Sequence, residues 1–153
     1  MGPHPIHIGT AGWSVPKAVA DAFPGPGTHL ERYARVLPAV EINTSFYRPH
    51  KPETFERWAA STPAGFRFAV KVPRAVTHVA RLRDAGDPLA RFLGEAAHLG
   101  DRLGPLLVQL PPSLPFDPLV AGAFLADLRA RFAGAVVCEP RHRTWFTAPA
   151  ERL

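Results

Sequence analysis

Phe66-Arg67-Phe68-Ala69-Val70-Lys71-Val72 alternates without a break between apolar side chains and charged or small ones. A strand turns successive side chains to opposite faces, so Phe66, Phe68, Val70 and Val72 share one face and Arg67, Ala69 and Lys71 the other. The same kind of run recurs on both sides of it. Upstream stand Ile6-His7-Ile8-Gly9 and Ala39-Val40-Glu41-Ile42-Asn43; downstream stand Pro105-Leu106-Leu107-Val108-Gln109-Leu110 and Ala135-Val136-Val137-Cys138-Glu139.

Helical patterns fill the intervals. Thr28-His29-Leu30-Glu31 has the spacing of a capping box, and Leu30, Tyr33, Ala34 and Leu37 follow as one apolar face. Pro52 suits a first helical position, with Phe55, Trp58 and Ala59 behind it. Asp87-Pro88 predicts a cap and start for a helix carrying Leu89, Phe92, Leu93, Ala96 and Leu99, stopped by Gly100. Asp117-Pro118 repeats the device, and that helix runs to about Phe132, before Gly134.

Strands alternating with helices predict a parallel sheet with right-handed crossovers. A doubly wound sheet and a (β/α)8 barrel share this local pattern. The strand ends favour the barrel. Period-two geometry puts His7, Glu41, Asn43, Lys71, Gln109, Glu139 and Arg141 on one consistent face, which in a barrel is the interior. Polar residues from separate strands then converge on the carboxyl-end mouth, where barrel active sites form. A complete barrel needs eight strands and about 250 residues. Residues 1–153 therefore read as one domain, an incomplete TIM-type barrel of about five βα units without its C-terminal strands.

Composition narrows the class further. Among 153 residues, 46% are hydrophobic and 20% charged, which suits a globular domain and excludes wholesale disorder. No apolar run approaches the ~20 residues of a membrane span, and no basic stretch with an apolar run opens the chain. One cysteine, Cys138, cannot form an intrachain disulfide, which fits a reducing cytoplasm. The net charge is +5, but 15 of the 18 basic residues are Arg and they are scattered. A scattered arginine excess is weak support for a nucleic-acid surface.

Six stretches carry a resemblance to a known family. They are Gly9-Thr10-Ala11-Gly12-Trp13, Val40 to Tyr47, Phe68 to Arg74, Thr77-His78, Leu103 to Pro112 and Glu139 to Phe146. In that order the chain resembles the domain-of-unknown-function family 72, also called the YecE-like family. The resemblance implies a TIM-type barrel and no established biochemical role. Two departures stand out: the C-terminal part is lacking, and Pro140 separates Glu139 from Arg141 where an apolar non-proline residue is usual. Proline donates no ladder hydrogen bond, so the fifth strand is expected to end at Glu139.

The expected chemistry sits at the strand ends. Glu41 and Glu139 are the acids there, suited to acid/base work, with Lys71 as a cation or base. A buried Glu41–Lys71 ion pair across adjacent strands is the competing structural reading. Asn43, Tyr47, Arg74, His78, Gln109, Arg141, His142 and Trp145 are the expected substrate-binding residues, the cations suiting phosphate or carboxylate. Metal motifs are absent: there is no HExxH, no paired cysteine and no EF-hand loop. Glu41, Glu139 and His142 form a divalent-metal set only by fold analogy with barrel-fold sugar isomerases and apurinic endonucleases, so the cofactor stays unassigned. The leading expectation is an enzyme-like barrel that binds a small anionic, phosphorylated or carbohydrate-like substrate. A nucleic-acid-binding module and an inactive truncated fragment are the alternatives. Two unpaired strand edges also predict self-association, or pairing with a complementing C-terminal fragment.

Overall fold

A computed structural model describes residues 6–153. Five strands, β1 (Gly9–Ala11), β2 (Ala39–Ile42), β3 (Arg67–Lys71), β4 (Leu103–Gln109) and β5 (Val136–Glu139), form one sheet in that order, every pair parallel. Sequential order without reversal differs from a doubly wound sheet, in which the order reverses at a switch point. β1 and β5 are edges of this sheet, and it is not closed among the described residues.

The alternation read in the sequence decides which face is covered. Val40, Ile42, Phe68, Val70, Leu106 and Val108 are at most 2% exposed, while Glu41, Arg67, Ala69 and Gln109 between them stay partly open. The buried set merges into one core with Leu30 and Tyr33 of α1 (His29–Ala34), Phe55 of α2 (Pro52–Ala60), Leu89 and Phe92 of α3 (Gly86–Ala96), and Phe124 and Leu128 of α4 (Pro118–Arg131). The helices thus cover one face. A last short helix, α5 (Ala148–Glu151), follows β5.

Helix starts follow the local signals with one exception. Thr28 and Glu31 complete a reciprocal capping box, and Asp117 Oδ1 accepts the Leu119 and Val120 amides ahead of Pro118. Asp87 does not cap α3, which begins at Gly86 after Ala85 with no side-chain cap, leaving Asp87 in the first turn. There a carboxylate still favours the positive end of the helix dipole. Gly100, at φ 53°, breaks the helical path, and a 3-10 segment, Ala97–Arg102, leads into β4.

The first strand lies later than Ile6 to Gly9. Ile6 and Ile8 are exposed, and pairing starts at Gly9. Tyr33 explains the shift. Its buried hydroxyl accepts the Thr10 amide at 2.8 Å and donates to the Ala39 carbonyl at 2.9 Å, so it pins β1 beside β2 at Thr10. A Cβ at Gly9 would collide with the Ala39 carbonyl, so the close approach needs glycine. No helix among the described residues is long and apolar enough to cross a membrane.

Candidate functional site

β3 carries Lys71 as its last residue, and Lys71 is only 8% exposed. The β2–β3 register places Glu41 beside Ala69 and Ile42 beside Val70, so Lys71 falls level with Asn43. Accordingly Lys71 Nζ donates to Asn43 Oδ1 at 3.2 Å. It also stands 4.5 Å from the centroid of the Phe46 ring, a cation–π contact. The expected Glu41–Lys71 ion pair does not form, because register, not face, sets the partner. None of the carboxylates among the described residues lies within 4 Å of the Lys71 ammonium.

The chain after β2 folds to present Phe46. A 3-10 turn over Thr44–Phe46 follows Asn43, and the buried Ser45 hydroxyl sits between the Ile42 and Lys71 carbonyls, at 3.0 and 2.7 Å. That contact ties the end of β2 to the end of β3. Tyr47 follows on the surface, 67% exposed, with its ring edge-on to Phe46 at 4.9 Å. Neither Ser45 nor Phe46 is among the expected site residues; both lie in the turn just beyond the end of β2.

A π-helical turn, Ala75–Val79, follows β3. It starts after Arg74 and carries His78, whose ring meets Phe46 edge-on at 4.9 Å and whose Nδ1 lies 2.8 Å from the Thr77 hydroxyl. Burial first, then the positive charges of Arg74, Lys71 and Arg141, hold His78 below the usual histidine pKa.

The β4–β5 register puts Gln109 beside Glu139. Gln109 Nε2 donates to Glu139 Oε1 at 3.1 Å, and Arg141 donates to the same oxygen from Nε at 3.3 Å and Nη2 at 3.2 Å. Oε2 of Glu139 has no hydrogen bond among the described residues and stays available to a ligand. β5 ends at Glu139, immediately before Pro140, as expected.

The remaining candidates stand apart from these groups. Glu41 lies on the uncovered face, lining a cavity of about 740 Å³ with Gly9, Ala39, Ala69 and Gly104, near the amino ends of the strands. β2 and β5 are three strand spacings apart, on the order of 14 Å along the sheet, so Glu41 and Glu139 are not a facing pair. His142 Nδ1 accepts the Thr144 amide at 3.3 Å, which caps the 3-10 turn Arg143–Trp145. Trp145 Nε1 donates to the Leu114 carbonyl at 2.9 Å, and its ring packs edge-on against Phe116. His142 and Trp145 thus fasten the β5 exit to the segment before α4. Trp13 packs against Trp58 and Phe68. Among the described residues no three His, Cys, Asp or Glu side chains gather to hold a metal ion, so Glu41, Glu139 and His142 are not a ligand set here. The Cys138 thiol is pushed up to about 11 by burial and by Glu139, which disfavours a nucleophilic thiolate.

These features define a class: a parallel α/β protein whose strand ends and following turns collect cations around one aromatic ring. A family profile described as "Protein of unknown function DUF72" matches residues 7–153. The chain belongs to the DUF72 family, as its sequence motifs suggested. It is 37% identical over 147 residues to the UPF0759 protein YecE of Escherichia coli K12, covering 95% of this chain and 52% of that protein. It is 27% identical over 153 residues to the UPF0759 protein YunF of Bacillus subtilis 168, covering 94% and 53%. A crystal structure of a DUF72 family protein from Thermotoga maritima superposes with a TM-score of 0.75 at 26% identity, covering 97% of this chain and 60% of that one. One from Enterococcus faecalis gives 0.73 at 23%, covering 99% and 58%. The chain therefore spans about half the length of the curated relatives it matches.

Proposed function

We propose that this chain is a wall of a TIM-type barrel whose mouth binds a small anionic ligand. Sequential parallel strands with helices on one face support the barrel reading, and the proteins it resembles are longer. One observation carries the anion: among the described residues, Lys71 is a buried ammonium with a single hydrogen bond, at 3.2 Å, and no carboxylate within 4 Å. Taking a charge out of water costs several kcal/mol unless a counter-charge meets it, and a ring face compensates by only about 0.5–2 kcal/mol. An anion bound at Lys71 would supply the missing counter-charge and use the remaining N–H donors. Arg74 adds a guanidinium without an ion pair among the described residues, and Arg141, held on Glu139, keeps donors of its fork for a second oxygen. Glu139 is the acid or base of any reaction at this mouth, because its Oε2 is free and Gln109 fixes its orientation.

Titration calorimetry with inorganic phosphate tests the reading. Wild-type protein should bind, Lys71→Met should lose binding, and Glu41→Gln should keep it. Affinity should fall only shallowly with salt, because few contacts release few counterions; a slope reflecting many phosphate contacts would point to nucleic acid instead.

A further inference from the structure

Beside the cationic group lies a second, smaller cavity of about 160 Å³, between the turn after β2, the segment Pro73–Ala75 and the first turns of α3. Phe46, Phe55, Pro73, Pro88 and Phe92 give it mainly apolar walls, and Phe55 and Phe92 are almost fully buried. An apolar cavity of about 150 Å³ is large enough for benzene. Of the polar groups at its edge, Ser45, His50, Arg91 and Glu95 are engaged already, while Tyr47 and Arg48 stand exposed at the outer rim. Ser45 contacts the Ile42 and Lys71 carbonyls, His50 Nε2 lies 2.8 Å from the Thr44 hydroxyl, and Arg91 pairs with Glu95 at 2.9 Å. A sugar ring, which needs partners for several hydroxyls, is poorly served by such walls. A flat uncharged ring is well served.

Two residues join this cavity to the anion site. Phe46 lines it and carries the Lys71 ammonium against its ring; Arg74 lines it from the start of the turn that follows β3, three residues beyond Lys71. Arg74 has no ion pair or hydrogen bond among the described residues. We infer that the ligand is an aryl-bearing anion, its aromatic ring seated between Phe46, Phe55 and Phe92 and its anionic group held by Arg74 and Lys71. This rests on the anion site proposed above and narrows its ligand from any small anion to one carrying an aromatic ring.

The test compares inorganic phosphate, methyl phosphate, phenyl phosphate and a hexose phosphate by calorimetry on the 153-residue chain. Phenyl phosphate should bind about tenfold tighter than methyl phosphate, since burying a ring is worth at least one factor of ten. Ala75→Trp, which fills the cavity from an exposed position on its rim, should reduce that ratio to about one while inorganic phosphate still binds. Inorganic phosphate binding with no preference for phenyl over methyl overturns the ring site and spares the anion site. So does a preference that survives Ala75→Trp, or a hexose phosphate that binds tightest. Failure of every phosphate to bind overturns the anion site and the ring site with it.

Discussion

The carboxyl ends of the strands and the uncovered face of the same sheet differ in what they collect. The uncovered face lines a cavity of about 740 Å³ with small residues such as Gly9, Ala39, Ala69 and Gly104, and with the charged side chains of Glu41 and Arg67. The strand ends carry Asn43, Lys71, Gln109 and Glu139 in level pairs, and the turns beyond them add Phe46, Arg74, His78 and Arg141. Size alone would favour the larger cavity as a site. The proposed anion site lies at the other end, where the buried Lys71 ammonium has no carboxylate within 4 Å among the described residues. Where active sites form in parallel α/β proteins is set by strand direction, and these charges follow that rule.

The largest expected effect separates the two regions directly. Lys71→Met should weaken anion binding about thirtyfold or more, as loss of a buried charge-assisted contact costs roughly 2 kcal/mol or above. Glu41→Gln should leave it within about twofold. Chemical denaturation should find Lys71→Met no less stable than wild type, because the free protein has no counter-charge to lose. Equal binding losses from both substitutions would erase the distinction.

A pH series sharpens it. His78 is held below its ordinary value of 6.5, by burial first and then by Arg74, Lys71 and Arg141. With the folded pKa below the unfolded one, the neutral histidine's contribution to stability is present above pH 6.5 and lost as pH falls through the folded value. A bound anion faces those same cations and favours protonated His78. Sulfate, whose charge is constant here, should therefore bind severalfold tighter at pH 5.5 than at 7.5, by at most about tenfold per unit for one linked proton. His78→Gln should flatten the profile. A wild-type profile that is already flat would remove His78 from the site.

How much of this was legible follows from what each signal encodes. Alternation in Phe66 to Val72 places side chains on faces, and the covered and uncovered faces follow it except at Lys71, which is buried at the strand end. Register was not legible, because it depends on how two strands slide. Glu41 and Lys71 share a face yet stand two positions apart, with Ala69 opposite the acid. The π-helical turn Ala75–Val79 was hidden as well, since no short motif marks it, so Arg74 and His78 stood as expected binding residues without an element to hold them. The start of β1 was set by a tertiary hydrogen bond from the Thr10 amide to the Tyr33 hydroxyl, which in turn donates to Ala39 of β2, and local hydrophobicity does not report it. His142 and Trp145 were read correctly as lying after β5, but their hydrogen bonds run to the cap and to Leu114.

Two smaller effects follow. Without a Glu41–Lys71 pair, the stability changes of Glu41→Gln and Lys71→Met should add to within about 0.5 kcal/mol in denaturant titrations. A coupling well above that would restore the pair. Cys138, with its thiol pushed up to about 11, should react with iodoacetamide at pH 8 far more slowly than a free cysteine thiol. A rate equal to that of the free thiol would mean that neither burial nor Glu139 governs it.

The central claim is a place: an anion sits at Lys71, at the carboxyl end of the sheet. Tungstate, an oxyanion that scatters anomalously, can be located by diffraction from a soaked crystal without assumptions about the natural ligand. The account predicts an anomalous peak within hydrogen-bond reach of Lys71 Nζ and Arg74, beside Phe46. A peak confined to the uncovered face near Glu41 and Arg67, with none at Lys71, would contradict it.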